Sequence, residues 1–132
     1  MGKACEIAML ENETIENTNK KIKAKLLELL NKSGVKYEIN GDQNYCVDST
    51  LNICFNGVAS EALMLSTKNF CALSNGSACT SKSYDPSYVL VAMGIPTEKI
   101  ENSVRISWGP GVNEEVISSF ENMLNVAKGL AF

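Results

Sequence analysis

The 132-residue sequence contains no histidine. That absence removes serine–histidine and cysteine–histidine catalysis and denies a metal centre its commonest ligand, so no metal site is expected. Arginine is nearly absent as well: eleven lysines stand beside a single arginine, Arg105. No CxxC pair occurs, and the five cysteines (Cys5, Cys46, Cys54, Cys71 and Cys79) leave one over in any pairing. With no secretory signal pattern, these read as free thiols in a reducing, cytoplasmic compartment. No apolar run approaches the length needed to cross a bilayer, so no membrane partner is expected. A net charge of −3 argues against direct nucleic-acid binding, which requires clustered basic residues.

What is present suits one folded domain. Hydrophobic residues make up 45% of the chain and charged residues 20%, ordinary proportions for a globular protein with its own core. Residues 3–32 hold good helix formers and no proline or internal glycine. Ile15, Ile22, Leu26 and Leu29 recur at helical spacing, which leaves Lys20, Lys21, Lys23 and Lys25 mostly to solvent. Gly34 is the expected stop.

The periodicity then changes to two. Residues 35–39 and 51–57 read as strands, with Leu51, Ile53 and Phe55 on one face of the second. Residues 59–70 read as a short helix and 70–74 as a brief strand. Asp85 and Pro86 look like the cap and first residue of a further helix ending at Gly94. A turn of helix begins at Pro96. Residues 103–109 form a strand with Val104, Ile106 and Trp108 on one face and Arg105 and Ser107 on the other. Asn113 is placed to cap a last helix, closed by Gly129. The glycines of "WGPGVNEE" lack the phosphate-loop pattern and read as a strand-to-helix turn. The expected fold is α+β: a small, mainly antiparallel sheet of three or four strands with packed helices and a long N-terminal helix.

Two residues stand out chemically. Cys79 lies in "SNGSACTSKS" (74–83), where eight of ten residues are Ser, Thr, Gly, Ala or Asn. A small buried thiol in a tight turn is one reading. The other is a nucleophile on an exposed loop, because soft polar flanks favour mobile backbone. The remaining cysteines sit in strand or helix segments and read as core filler. Arg105 is either a surface charge or a two-pronged clamp on a carboxylate, a task that lysine performs poorly.

Together, "SNGSACTS", "DPSYVLVAMGI", "SVRISWG" and the following "NEEV" resemble the C-terminal region of NifS/IscS-like cysteine desulfurases. These are class V aminotransferase-type, fold type I enzymes dependent on pyridoxal phosphate. The upstream "LNICFNGVASEAL" and "GKACEIA" fit the same family, so the resemblance covers essentially the whole chain. It implies that Cys79 attacks the sulfur of L-cysteine, leaving alanine and a Cys79 persulfide that passes to a sulfur-acceptor protein. It implies that Arg105 binds the substrate carboxylate. Family members are about three times longer, beyond ordinary single-domain size. Their cofactor-binding lysine lies upstream, and no His-Lys pair occurs here. Residues 1–132 are therefore expected to be the single C-terminal small domain, with the large pyridoxal phosphate-binding domain absent from the chain. The fragment is expected to bind no cofactor and to be inactive alone, and the full-length enzyme to be a homodimer. A free-standing sulfur carrier, or another class V aminotransferase or selenocysteine lyase, are the alternatives.

Overall fold

The computed structural model describes residues 1–76, 86–109 and 115–131. Helix α1 spans Gly2–Ser33 and stops at Gly34, whose φ of 74° lies in the left-handed region that a side chain disfavours. Its C-terminal half buries Ile22, Leu26 and Leu30, with Leu29 half-buried beside them. Full burial of a leucine such as Leu26 contributes about 2 kcal/mol. Its N-terminal half is solvated, and Ile7, Met9 and Leu10 are exposed there.

Strands β1 (Tyr37–Ile39), β2 (Thr50–Phe55) and β3 (Ser103–Ser107) form one antiparallel sheet in the order β1-β2-β3. The 3-10 turn Gln43–Tyr45 lies on the way from β1 to β2, capped by the Asp42 carboxylate, which accepts from the Asn44 backbone N–H. Ile53 pairs with both Ile39 and Val104, and Leu51 with Ile106. This register gathers β2 and β3 side chains into one apolar face, packed with α1, α2 (Ser60–Thr67) and α5 (Glu115–Leu130) in a single core. Helix α5 supplies Phe120, Met123, Leu124 and Ala127, at the spacing expected from sequence. The short helices α3 (Tyr88–Ala92) and α4 (Thr97–Glu101) lie between α2 and β3 in the chain. The architecture is α+β with a three-stranded antiparallel sheet, as read from the sequence.

Several local expectations change. Residues 70–74 are not a strand; only Ser74 pairs, in an isolated bridge with Arg105. The Phe70 and Cys71 backbone N–H groups donate instead to the Thr67 carbonyl, closing the end of α2 with donors a strand would have used. Helix α3 is capped at Ser87, so Pro86 precedes the cap rather than opening the helix. Asp85 and Asn113 lie outside the described residues. Gly129 does not close α5, which continues to Leu130. Glycine costs a helix only about 1 kcal/mol relative to alanine, and Leu130 packs against the core one residue later.

Lys23 departs most from expectation. It is only 6% exposed, while Lys20, Lys21 and Lys25 remain in solvent. The cysteines also divide differently: Cys54 is buried and Cys71 half-buried, but Cys5 and Cys46 are exposed and fill no core. Among the described residues, no helix is long and apolar enough to cross a membrane. No group of potential ligands among them could hold a metal ion.

Candidate functional site

Alternation along β3 turns Val104 and Ile106 inward and leaves Arg105 and Ser107 exposed. Arg105 pairs across the ladder with Asn52, and Ser107 with Thr50, so this second sheet face is polar. Asn52 is already engaged: its Oδ1 accepts from Asn40 Nδ2 at 2.7 Å, and Asn40 Nδ2 also donates to Ser103 Oγ at 2.9 Å. Ser103 Oγ in turn donates to the Lys99 carbonyl at 2.6 Å. Thr50 and Ser107 join through their hydroxyls at 3.3 Å. Among the described residues no carboxylate pairs with Arg105. Among the described residues the sheet thus fixes the polar neighbours of Arg105, and an exposed arginine carries a planar fork of the kind that can bind a carboxylate.

The start of the soft loop is anchored beside it. Arg105 N–H donates to the Ser74 carbonyl at 2.6 Å, and Ser74 N–H donates to the Arg105 carbonyl at 3.1 Å. Ser74 Oγ donates to the Gly76 carbonyl at 2.9 Å. Asn75 Nδ2 donates to Ser60 Oγ at 3.4 Å, and Ser60 is the buried first residue of α2. Cys79 and Lys82 lie outside the described residues. Ser74, Asn75 and Ser60 were not singled out in the sequence. The signal for Ser74 was its position at the end of the apolar "FCAL" segment, where a chain leaves a sheet.

No family model matches the chain. Among curated proteins, the cysteine desulfurase IscS of Shewanella sp. (strain ANA-3) is 40% identical over 121 residues, covering 89% of this chain. The chain is homologous to part of the IscS-type cysteine desulfurases. It spans 28% of that relative's length. Among solved structures, a NifS-like protein superposes with a TM-score of 0.79 over 97% of this chain and 32% of its own, at 22% identity. At that identity the likeness concerns the fold. DndA from Streptomyces lividans is 30% identical, with a TM-score of 0.59 over 83% of this chain and 30% of its own. The desulfurase-related segment thus keeps the NifS-like fold while covering under a third of these proteins.

Cysteine desulfurases are pyridoxal phosphate enzymes, and the lysines of this segment can be compared with what that cofactor needs. A cofactor-binding lysine must present a neutral, unpaired amine in an enclosed site. Lys23 is the one buried lysine among the described residues, and its Nζ bonds Cys46 Sγ at 3.1 Å and Asp48 Oδ1 at 3.2 Å. Burial works against its charge, but those two hydrogen bonds prevail and hold its pKa above the ordinary lysine value. Lys99 is paired with Glu38, and the remaining described lysines are exposed. The described residues do not fit as the cofactor's anchor.

Proposed function

We propose that this segment is the C-terminal small domain of a cysteine desulfurase, carrying the sulfur-transfer thiol Cys79 and the substrate-carboxylate clamp Arg105. The observation that carries the reading is the Ser74–Arg105 backbone pair, which fixes the start of the Cys79 loop to the strand bearing the arginine. Cys79 lies three residue steps beyond Gly76, a tether of about 10 Å at full extension. A substrate held by its carboxylate on Arg105 is then within the working range of a thiol on that tether.

Each residue has a defined task. The Arg105 guanidinium binds the carboxylate of L-cysteine through paired N–H donors. Pyridoxal phosphate, held by the large domain of the same enzyme, supplies the electron sink for carbon–sulfur cleavage. Cys79 accepts the sulfur as a persulfide. An acceptor protein's thiolate then attacks the outer sulfur, the sulfur–sulfur bond breaks, and Cys79 leaves as thiolate. The segment alone binds no pyridoxal phosphate and does not turn over, and the full-length enzyme works as a cytoplasmic homodimer.

The test is alanine release from L-cysteine in the presence of pyridoxal phosphate. The full-length protein is expected to release alanine, with Cys79→Ala inactive, and the 132-residue chain to release none. Alanine release by the 132-residue chain alone, or undiminished release by Cys79→Ala, would contradict the assignment.

A further inference from the structure

Away from Arg105, α1 and the segment before β2 enclose a groove of about 390 Å³ lined by residues including Ile15, Glu16, Asn19, Cys46, Val47 and Asp48. Cys46 is exposed, yet Lys23, whose ammonium meets its sulfur, is as a residue only 6% exposed. Nζ donates to Cys46 Sγ at 3.1 Å and to Asp48 Oδ1 at 3.2 Å. An ammonium has three N–H donors. Two of them are thus committed, one of these to a sulfur on an exposed residue. The Cys46 thiol is in turn placed to donate to the Gln43 carbonyl or to Gln43 Oε1, both 3.4 Å away.

We propose that Cys46 is an oxidation site for an uncharged hydroperoxide, with Lys23 as its proton donor. The groove suits a neutral oxidant, because the Glu16 and Asp48 carboxylates on its walls are each paired with a lysine, Lys20 and Lys23, and neither sign of charge is left in excess to favour a charged one. Once the thiol has given its proton to solvent, the sulfur attacks one peroxide oxygen; the sulfur–oxygen bond forms as the oxygen–oxygen bond breaks. The departing hydroxide takes a proton from the Lys23 ammonium and leaves as water, and solvent reprotonates the amine. Sulfur loses two electrons, the peroxide gains them, and the product is a Cys46 sulfenic acid. The site does not depend on the desulfurase assignment.

The experiment treats the chain with hydrogen peroxide, traps sulfenic acid with dimedone, and follows each cysteine-containing peptide by mass spectrometry. Cys5 is the internal reference, being exposed and without a side-chain hydrogen bond among the described residues. Cys46 is expected to label at least about tenfold faster than Cys5, a small share of what a positioned acid can supply. Lys23→Met is expected to bring Cys46 down to the Cys5 rate in chain that remains folded by circular dichroism. Equal labelling of Cys46 and Cys5 in the unaltered chain overturns the proposal, and that comparison needs no variant. A Cys46 to Cys5 ratio unchanged in folded Lys23→Met also overturns it, since a merely structural lysine would alter melting and leave the ratio alone.

Discussion

Ser74 and Arg105 exchange two backbone hydrogen bonds, of 3.1 and 2.6 Å, and no others tie residues 70–74 to the sheet. The loop entry is therefore held by main-chain atoms of Arg105, whose side chain we propose as the substrate clamp. Positioning of the loop and binding of an anion are separable at Arg105.

That separation makes the first prediction. Arg105→Lys keeps both backbone bonds and loses the planar fork. In the full-length protein it should raise the KM for L-cysteine by about tenfold, the loss of roughly one charge-assisted hydrogen bond. Melting should change by less than about 0.5 kcal/mol, as for other exposed substitutions. Steady-state kinetics with a thermal melt checks both; an unchanged KM would remove Arg105 from the substrate site.

The Lys23–Asp48 pair makes the second. Asp48 is the carboxylate paired with a nearly buried ammonium. Asp48→Ala should destabilise the chain by about 2 kcal/mol, because it strands a buried charge rather than removing a surface pair. Lys20–Glu16 is an exposed contact on the same helix. Glu16→Ala should cost less than about 0.5 kcal/mol. Urea unfolding of the two variants measures the contrast.

Alkaline pH is expected to weaken the fold through two thiols. Burial raises the pKa of Cys54 and of Cys71 above the ordinary value of 9.0; for Cys54 the Ser103 hydrogen bond opposes the shift only partly. The folded state favours their neutral form, so their contribution is intact below pH 9.0 and is lost as pH rises past it, where the unfolded thiols ionise first. Replacing Cys71 with alanine should flatten the melting profile above pH 9.0. Both thiols should also react more slowly with iodoacetamide than exposed Cys5.

The N-terminal half of α1 predicts association. Met9 and Leu10 are 87% and 76% exposed on one stretch of helix. The isolated chain should self-associate over a concentration series in sedimentation equilibrium, and Leu10→Glu should shift it towards monomer. A monomer at every concentration would show that these side chains make no contact of consequence.

The sequence made the core faces legible because their causes are local. Leu51, Ile53 and Phe55 alternate, and Phe120, Met123, Leu124 and Ala127 recur every turn, so the period alone assigns them. Arg105 was legible for the same reason, lying between two inward residues of a short strand. What failed depended on distant partners. Lys23 looked like one more solvated lysine, since nothing local announces that Cys46 and Asp48 come round to meet it. Residues 70–74 had strand composition, yet the backbone donors of Phe70 and Cys71 were already committed to Thr67. Gly129 resembled a helix stop until packing of Leu130 outweighed its small penalty.

The central claim, that Cys79 receives sulfur from L-cysteine, is tested most directly by mass spectrometry of the Cys79 peptide. The full-length protein, loaded with pyridoxal phosphate, is given L-cysteine and quenched with an alkylating agent. One additional sulfur on Cys79, absent from Cys5, Cys46, Cys54 and Cys71 and removed by dithiothreitol, is the predicted result. Alanine formation with Cys79 carrying no extra sulfur would contradict the account.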